Sequence, residues 1–505
     1  MKSLSSLLLL ACLGSGCSLY NNKIPLDLGA VDGGDQGTPV DMQPDLPPMC
    51  SDDSVCPVAL PVCGGGGQCG GCQLGSNTAC ATHHAATPLC GPSGACVECL
   101  SKDDCASKNQ TCNLTTNACA ACRAHADCST GVCKPGGDCA TAAEVAYVNN
   151  TNSATVTCSD SPHTSSRMSP YCQIQAAVTQ TSVPPYVLVE GSATPYNPVS
   201  LNTTVKAIGP LTLIGPGRGA TPGATLAGAG AVTPNGFTLL TGAGNAATVS
   251  LEGLTLIGAG GATPGAGARC TVGVGAATLS IVDSKIQMSG GAGVDSNGCT
   301  LTLDRNIISG NQGAGVSTNG GTLTLDRNII GPSNTGGGVV LGGSTSYTVT
   351  NNIVWGNGGA AATTPGVQIA NGASGSFAFN TVVQNTVSGA AGVGGIDCGS
   401  GGMKAIQFSI AWMNTKSGGT QIGAQCTLTN VVTAAGDDNR GTMNAMPPTF
   451  VSATDFHLVT TADAANDACC IDKVSNPSTP NASHDVDGAM RPKGAAHDIG
   501  AHEAR

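Results

Sequence analysis

Charge and aromatic side chains are both scarce in this chain. Asp, Glu, Lys and Arg make up 10% of its 505 residues, against roughly 25% in an ordinary soluble domain. That argues against a fold built on amphipathic helices. Phe, Trp and Tyr together supply 3%, too few for an aromatic core. The net charge is −11 and no basic run occurs, which removes nucleic acid as a partner. The apolar run from Leu4 to Leu13 is shorter than the ~20 residues that cross a bilayer. What is abundant is glycine, at 73 residues about double its usual ~7% share, and cysteine, at 26. Cysteine at that density points to an oxidising destination, because cytosolic thiols are kept reduced.

The first residues are consistent with export. Met1-Lys2 forms a positive n-region ahead of the short apolar stretch, the pattern of a cleaved leader. Leu13-Gly14-Ser15-Gly16-Cys17 resembles a bacterial lipobox, which implies acylation of Cys17. Leu9-Leu10-Ala11-Cys12 also fits and makes Cys12 the rival, although cleavage there leaves a very short h-region. The resemblance further implies an outer-membrane or cell-surface address, because Ser18 follows the cysteine. Several acyl chains on one residue hold better than the marginal grip of one, so the membrane is the expected partner through the lipid. Residues 18–49 are rich in Asp, Pro and Gly and are expected to stay a solvated tether.

Residues 50–139 hold sixteen cysteines in four units: Cys50, Cys56, Cys63, Cys69; Cys72, Cys80, Cys90, Cys96; Cys99, Cys105, Cys112, Cys119; and Cys122, Cys128, Cys133, Cys139. Unit starts fall 22, 27 and 23 residues apart, a small-module array. Asp104 and Asp127 precede the second cysteine of the last two units. Units this small need staples. In an exported chain the C-x-x-C junctions read as disulfides rather than zinc ligands, so no metal is expected. Three pairings per unit remain open. The units resemble cysteine-rich stalk repeats of bacterial surface lipoproteins and, more loosely, dickkopf-type modules, which implies a spacer.

From Glu144 to Arg505 the character changes. Thr300-Leu301-Thr302-Leu303-Asp304-Arg305-Asn306-Ile307-Ile308 returns 22 residues later as Thr322-Leu323-Thr324-Leu325-Asp326-Arg327-Asn328-Ile329-Ile330. Aligning weaker copies gives one polar column, Ser284, Asn306, Asn328, Asn352, Asn380 and Ser409, and five residues on a second, Ser289, Asn311, Ser333, Asn357, Asn385 and Asn414. Alternating strands point leucine one way and threonine the other, and each ends at a residue that tolerates tight turns. Val294, Val316, Val339, Val367, Ile396 and Ile422 supply a further apolar position per repeat. The reading is an all-β solenoid, a right-handed parallel β-helix of about 22 residues per coil whose like residues stack in ladders. Coil length grows to 24, 28 and 29 residues, so later coils carry loops such as 358–365. Cys158 with Cys172, Cys270 with Cys299, and Cys398 with Cys426 are plausible bridges. Cys469-Cys470 stay unassigned.

Tyr171-Cys172-Gln173-Ile174-Gln175-Ala176-Ala177-Val178 has helical apolar spacing and could cap the first coil. Together with Tyr186-Val187-Leu188-Val189 it resembles the opening of pectate-lyase-like β-helix proteins. Asp485-Val486-Asp487-Gly488-Ala489-Met490-Arg491-Pro492 and Asp498-Ile499-Gly500-Ala501-His502-Glu503 resemble that group's D-x-D-G-x-x-R-P…D-I-G-A-Y-E ending, with His502 replacing the tyrosine. The resemblance covers roughly 70% of the chain and implies a fold, not a reaction.

Two functions follow. The first is a non-enzymatic surface protein displaying a β-helix for structural, adhesive or carbohydrate-binding purposes, with a polysaccharide or another cell as partner. Its candidate binding residues are Trp355 and Trp412, which occupy one repeat position with Val383 between them and are expected to face outward. The second is a polysaccharide lyase or glycoside hydrolase, with Asp283, Asp304, Arg305, Asp326 and Arg327 as the candidate catalytic cluster. A hydrolase needs paired carboxylates; Ca²⁺ enters only under the lyase reading, and otherwise no cofactor is expected. The sparse carboxylates of the coils favour display.

Overall fold

The computed structural model describes residues 47–203, 208–229, 233–242, 244–359, 363–388, 392–416, 420–434, 447–460, 463–475, 477, 479 and 483–504. Cys12, Cys17 and nearly all of the 18–49 tether lie outside the described residues.

The third and fourth cysteines of each unit face each other across a short antiparallel pairing. All four units nevertheless share one connectivity, first to third and second to fourth: Cys50–Cys63 and Cys56–Cys69, Cys72–Cys90 and Cys80–Cys96, Cys99–Cys112 and Cys105–Cys119, Cys122–Cys133 and Cys128–Cys139. Asp104 accepts the backbone N–H groups of Leu100 and Ser101, and Asp127 those of Arg123 and Ala124. These acids shape the turn ahead of the second cysteine and sit below the usual carboxylate range; for Asp127 the Arg123 and Ala124 donors are the main cause.

The fourth unit docks on the solenoid. Val132 and Ala140 pack with Val145, Tyr147 and Ile214, and the His125 imidazole lies 3.1 Å from the Glu252 carboxylate.

From Val145 on, parallel strands stack into three sheets of eleven, nine and eight strands. Sheet 1 runs from Val145–Val148 to Cys426–Thr429, sheet 2 from Thr225–Ala227 to Val432–Thr433, and sheet 3 from Val199–Asn202 to Ile396–Asp397. One coil contributes a strand to each, as in Thr300–Asp304, Ile307–Ser309 and Val316–Asn319. The two repeats first seen in sequence pair residue for residue, Leu301 on Leu323 and Asp304 on Asp326. Inward side chains such as Leu303, Leu325, Ile308, Ile330, Val316 and Val339 are sealed from solvent in one continuous core, each worth ~1.5–3 kcal/mol of burial. The helix Ile174–Val178 closes the N-terminal end of that core with Ile174, Ala177 and Val178. Cys158–Cys172, Cys270–Cys299 and Cys398–Cys426 are bonded, as is the adjacent pair Cys469–Cys470.

The turn between sheets 1 and 2 follows one rule: a residue with positive φ, then a buried polar residue. Arg305 and Arg327 (both φ 54°), Asn351 (57°) and Phe379 (56°) precede Asn306, Asn328, Asn352 and Asn380. Each asparagine is fully buried and works on its neighbours above and below. Asn328 Oδ1 accepts the backbone and side-chain N–H groups of Asn306 at 2.9 and 3.0 Å. Its Nδ2 donates to Leu303 O, Asp326 O and Asn352 Oδ1. Ser284 and Ser409 end the column.

The second ladder obeys the same rule and corrects one position. Asn334, not Ser333, stands in it: Asn311 donates to Asn334 Oδ1 at 2.8 Å, and Asn334 to Asn357 Oδ1 at 2.8 Å. Ser333 takes the positive-φ place (66°), because this coil holds one residue more between ladder positions than the coil before it. Asn385 and Asn414 continue the ladder, and Gln421 terminates it. The turn from sheet 3 to sheet 1 is equally tight: a Cβ on Gly321 (φ 76°) would come 2.2 Å from Cys299 O.

A buried ladder amide leaves several backbone groups unmet when removed, at about 1–3 kcal/mol each. Asn328→Ala should therefore lower the urea midpoint of the solenoid by the equivalent of at least about 2 kcal/mol. Asn319→Ala, whose amide is exposed, should leave it nearly unchanged.

Candidate functional site

The Asp–Arg cluster assembles on the sheet 1 edge. Asp304 and Asp326 end adjacent strands and so point outward in one column, while Arg305 and Arg327 occupy the positive-φ turn positions beside them. Arg327 clamps Asp304 bidentately, Nε to Oδ1 at 2.9 Å and Nη2 to Oδ2 at 2.8 Å, and also lies 3.2 Å from Asp326. Arg305 Nη1 donates to Asp304 at 2.6 Å. Asp326 accepts from Thr350 Oγ1 and Asn351 Nδ2, each at 2.9 Å, and burial pushes its carboxyl up. Asp283 lies 3.8 Å from Arg305 and 3.6 Å from Arg218. Arg218 was not legible in the sequence, since it arrives from a loop 87 residues upstream to donate to Arg305 O.

The five candidates are thus together, but as an alternating-charge zipper. Both oxygens of Asp304 are held by guanidinium groups. A calcium ion asks for six to eight oxygen ligands, and here the carboxylates face cations that would repel it. The cluster does not fit Ca²⁺. It borders a cleft of about 750 Å³ between the fourth cysteine unit and the first coils, lined among others by Arg123, His125, Tyr186, Glu252, Asp283 and Arg305.

Trp355 and Trp412 point outward, as their repeat position requires, and both are half-buried. Both stack in the predicted column, with Trp355 on Val383 and Val383 on Trp412, yet the C-terminal segment covers them. Phe456 lies 5.2 Å from Trp355, ring to ring, and Phe450 5.4 Å from Phe456. Val486 and Ala501 complete the cluster with Ile353 and Val383. The segment returns along the outside of sheet 2, where Ala501 N donates to Thr381 Oγ1 and Gly500 N to Phe408 O.

The terminal motif is the fastening of this strap. Asp485 accepts the N–H groups of Asp487, Ala489 and Glu503. Arg491 is sealed from solvent, 2.9 Å from Glu503 and 4.8 Å above the Phe379 ring. Burial raises Asp498 to about 6. His457 sits between Asp487, at 3.3 Å, and Asp455, and these carboxylates, Asp487 foremost, raise it to about 9. Burial lowers His502 to about 4.

Asp485, Asp487 and His502 lie close enough together to suggest a metal, but the donors are committed. His502 Nδ1 accepts the Leu458 N–H at 3.1 Å, which leaves the proton of the neutral ring on Nε2, a donor.

A family described as "Right handed beta helix region" matches residues 271–432, which agrees with the right-handed sense expected of parallel crossovers. A family of unknown function (DUF8331) matches residues 37–145, spanning the cysteine units. Among solved structures, the chain is similar to pectate lyase Pel9A at 12% identity and a TM-score of 0.34, covering 72% of this chain and 96% of that one. It is also similar to ORF18 of Geobacillus virus E2 at 10% identity and a TM-score of 0.24, covering 49% of this chain and 52% of that one. No curated protein matches.

Because His457 is raised in the fold, it adds stability that is complete below its ordinary value near 6.5 and lost as pH climbs through about 9. The strap should therefore loosen between those values, by a few kcal/mol at most at about 1.4 kcal/mol per unit. Emission from Trp355 and Trp412, both beneath the strap, should shift red at lower denaturant as pH rises. His457→Asn should flatten that dependence.

Proposed function

We propose that this chain is a lipid-anchored surface protein, held through Cys17, whose cysteine units carry a non-catalytic β-helix away from the membrane for display. The observation that carries the reading is the clamp on Asp304. A hydrolase needs one carboxyl protonated and a second free to attack or to activate water, and a lyase needs an uncommitted base. In the best candidate cluster Asp304 is gripped by Arg305 and Arg327, Asp326 by Arg327, Thr350 and Asn351. Such a zipper joins successive coils and neutralises its own charge.

The rest of the architecture supports display. The first-to-third, second-to-fourth staple repeats through all four units. Backbone hydrogen bonds join unit to unit, as from Cys96 N to Val58 O and from Cys139 N to Asn109 O. The last unit is packed on the first coils, which supports reading the units as a stalk that continues into the solenoid.

The test is incubation of the purified chain with uronate and neutral polysaccharides. No chain shortening should appear with any of them, and Asp304→Asn should cost stability while leaving any binding unchanged. Depolymerisation abolished by Asp304→Asn with Asp326→Asn would sink the proposal.

A further inference from the structure

The outer face of sheet 1 carries two straight files of hydroxyl groups. One file is Thr278, Thr300, Thr322, Ser346 and Ser374; each pairs directly with the next across adjacent strands. The second, two residues along, is Ser280, Thr302, Thr324, Thr348 and Ser376. All ten are exposed or half-exposed, and the alternate positions between them are core residues such as Leu301 and Leu323. No register shift interrupts these five strands, so the hydroxyls form a regular net of ~4.8 Å along the helix axis by ~6.6 Å along the strands. The Asn ladders and the Cys270–Cys299 bridge fix the stacking behind it. Threonine adds stiffness of its own, since its branched side chain has few rotamers.

Such a face is a poor receptor for a soluble ligand. Neither file contains a charged or aromatic residue, the charges of these strands lying in the next outward column at Asp304 and Asp326, and single hydroxyl contacts are weak. Only a partner that repeats in two dimensions can meet all ten groups at once, each contact after the first being made without a new loss of freedom. Ice and crystalline polysaccharide are two hydroxyl-rich solids that repeat at this scale. In a β-1,4-linked polysaccharide successive sugars turn over, so like groups return every second residue, whereas these files repeat at every coil. The water rows of ice repeat at every step, at close to the strand spacing, and meet hydroxyl and methyl groups together.

We propose that this face binds ice, with the two hydroxyl files ordering the contact layer of water. The inference deepens the display reading and rests on it: ice is what the displayed surface engages.

The test uses the full chain with Cys12→Ser and Cys17→Ser to prevent acylation. Slow ice growth from solution should enrich it in the solid, and ice crystals in its presence should facet. Thr302→Lys with Thr324→Lys should cut that enrichment by roughly tenfold or more with an unchanged melting curve. Ser317→Lys, on the outside of sheet 3, should leave it intact. Should the double variant fail to fold, Thr348→Lys poses the same question one coil on. Exclusion of the parent chain from ice, or enrichment indifferent to the face variants, would overturn the proposal. Retention on crystalline cellulose that the same variants abolish would overturn ice as the occupant and leave display standing. Only depolymerisation in the separate polysaccharide assay removes display itself.

Discussion

Everything in the solenoid hangs on the buried asparagine ladders. A tight turn between parallel strands strands backbone groups inside the core, where an unmet donor or acceptor is costly. Asparagine meets this need in both directions, its oxygen taking N–H groups from the coil before and its nitrogen reaching carbonyls and the next amide. The amide must then sit at the same height in every coil, which fixes the position of the residue before it and of the strands on either side. Loops can lengthen from coil to coil without disturbing this, as the 28- and 29-residue coils do. Columns of outward residues, whether hydroxyls or charged pairs, inherit their alignment from the buried amides.

The ladders are also why the fold was readable from sequence. Asn at constant offset, alternating Leu and Thr, and a valine per coil each record one requirement of the stack. The failures have equally local causes. A constant offset of five residues points to Ser333, whereas the structural rule is a positive-φ residue followed by an amide, which selects Asn334. The cysteine pairing was illegible because the third and fourth cysteines are cross-strand neighbours yet bond to partners outside the hairpin. Arg218 could not be found by periodicity, since it enters from a loop several coils away.

Coil stacking brings the candidate residues together, and their chemistry depends on what each one pairs with. Column alignment brought Asp283, Asp304, Asp326, Arg305 and Arg327 together, as coil stacking requires. Alignment is silent on pairing, and pairing decides function: a carboxylate under a bidentate guanidinium is an ionic staple. The tryptophans show the same gap. Their shared column was legible, but what covers it is the chain's own ending, roughly a hundred residues further on.

That ending gathers both tryptophans and four of the six phenylalanines. On early coils the outward positions of sheet 2 are polar or mixed, as at Thr255, Lys285 and Gln287. On later coils they turn apolar on both faces, with Ile353, Trp355, Val383, Ile410 and Trp412 outside and Val354, Val382 and Ala411 within. A sheet apolar on both faces must be covered, and the strap covers it with Phe450, Phe456, Val486 and the Cys469–Cys470 turn. The buried Arg491–Glu503 pair is costly to desolvate, and Asp485 and Asp498 lie around it. Sheet 1 shows the opposite choice. Its outer files stay hydroxylated from coil to coil, although a short change to valine or leucine would have suited a covered face. The later coils of sheet 2 are built to be hidden and the middle coils of sheet 1 to meet solvent, and the difference is written in which residue alternates with the core.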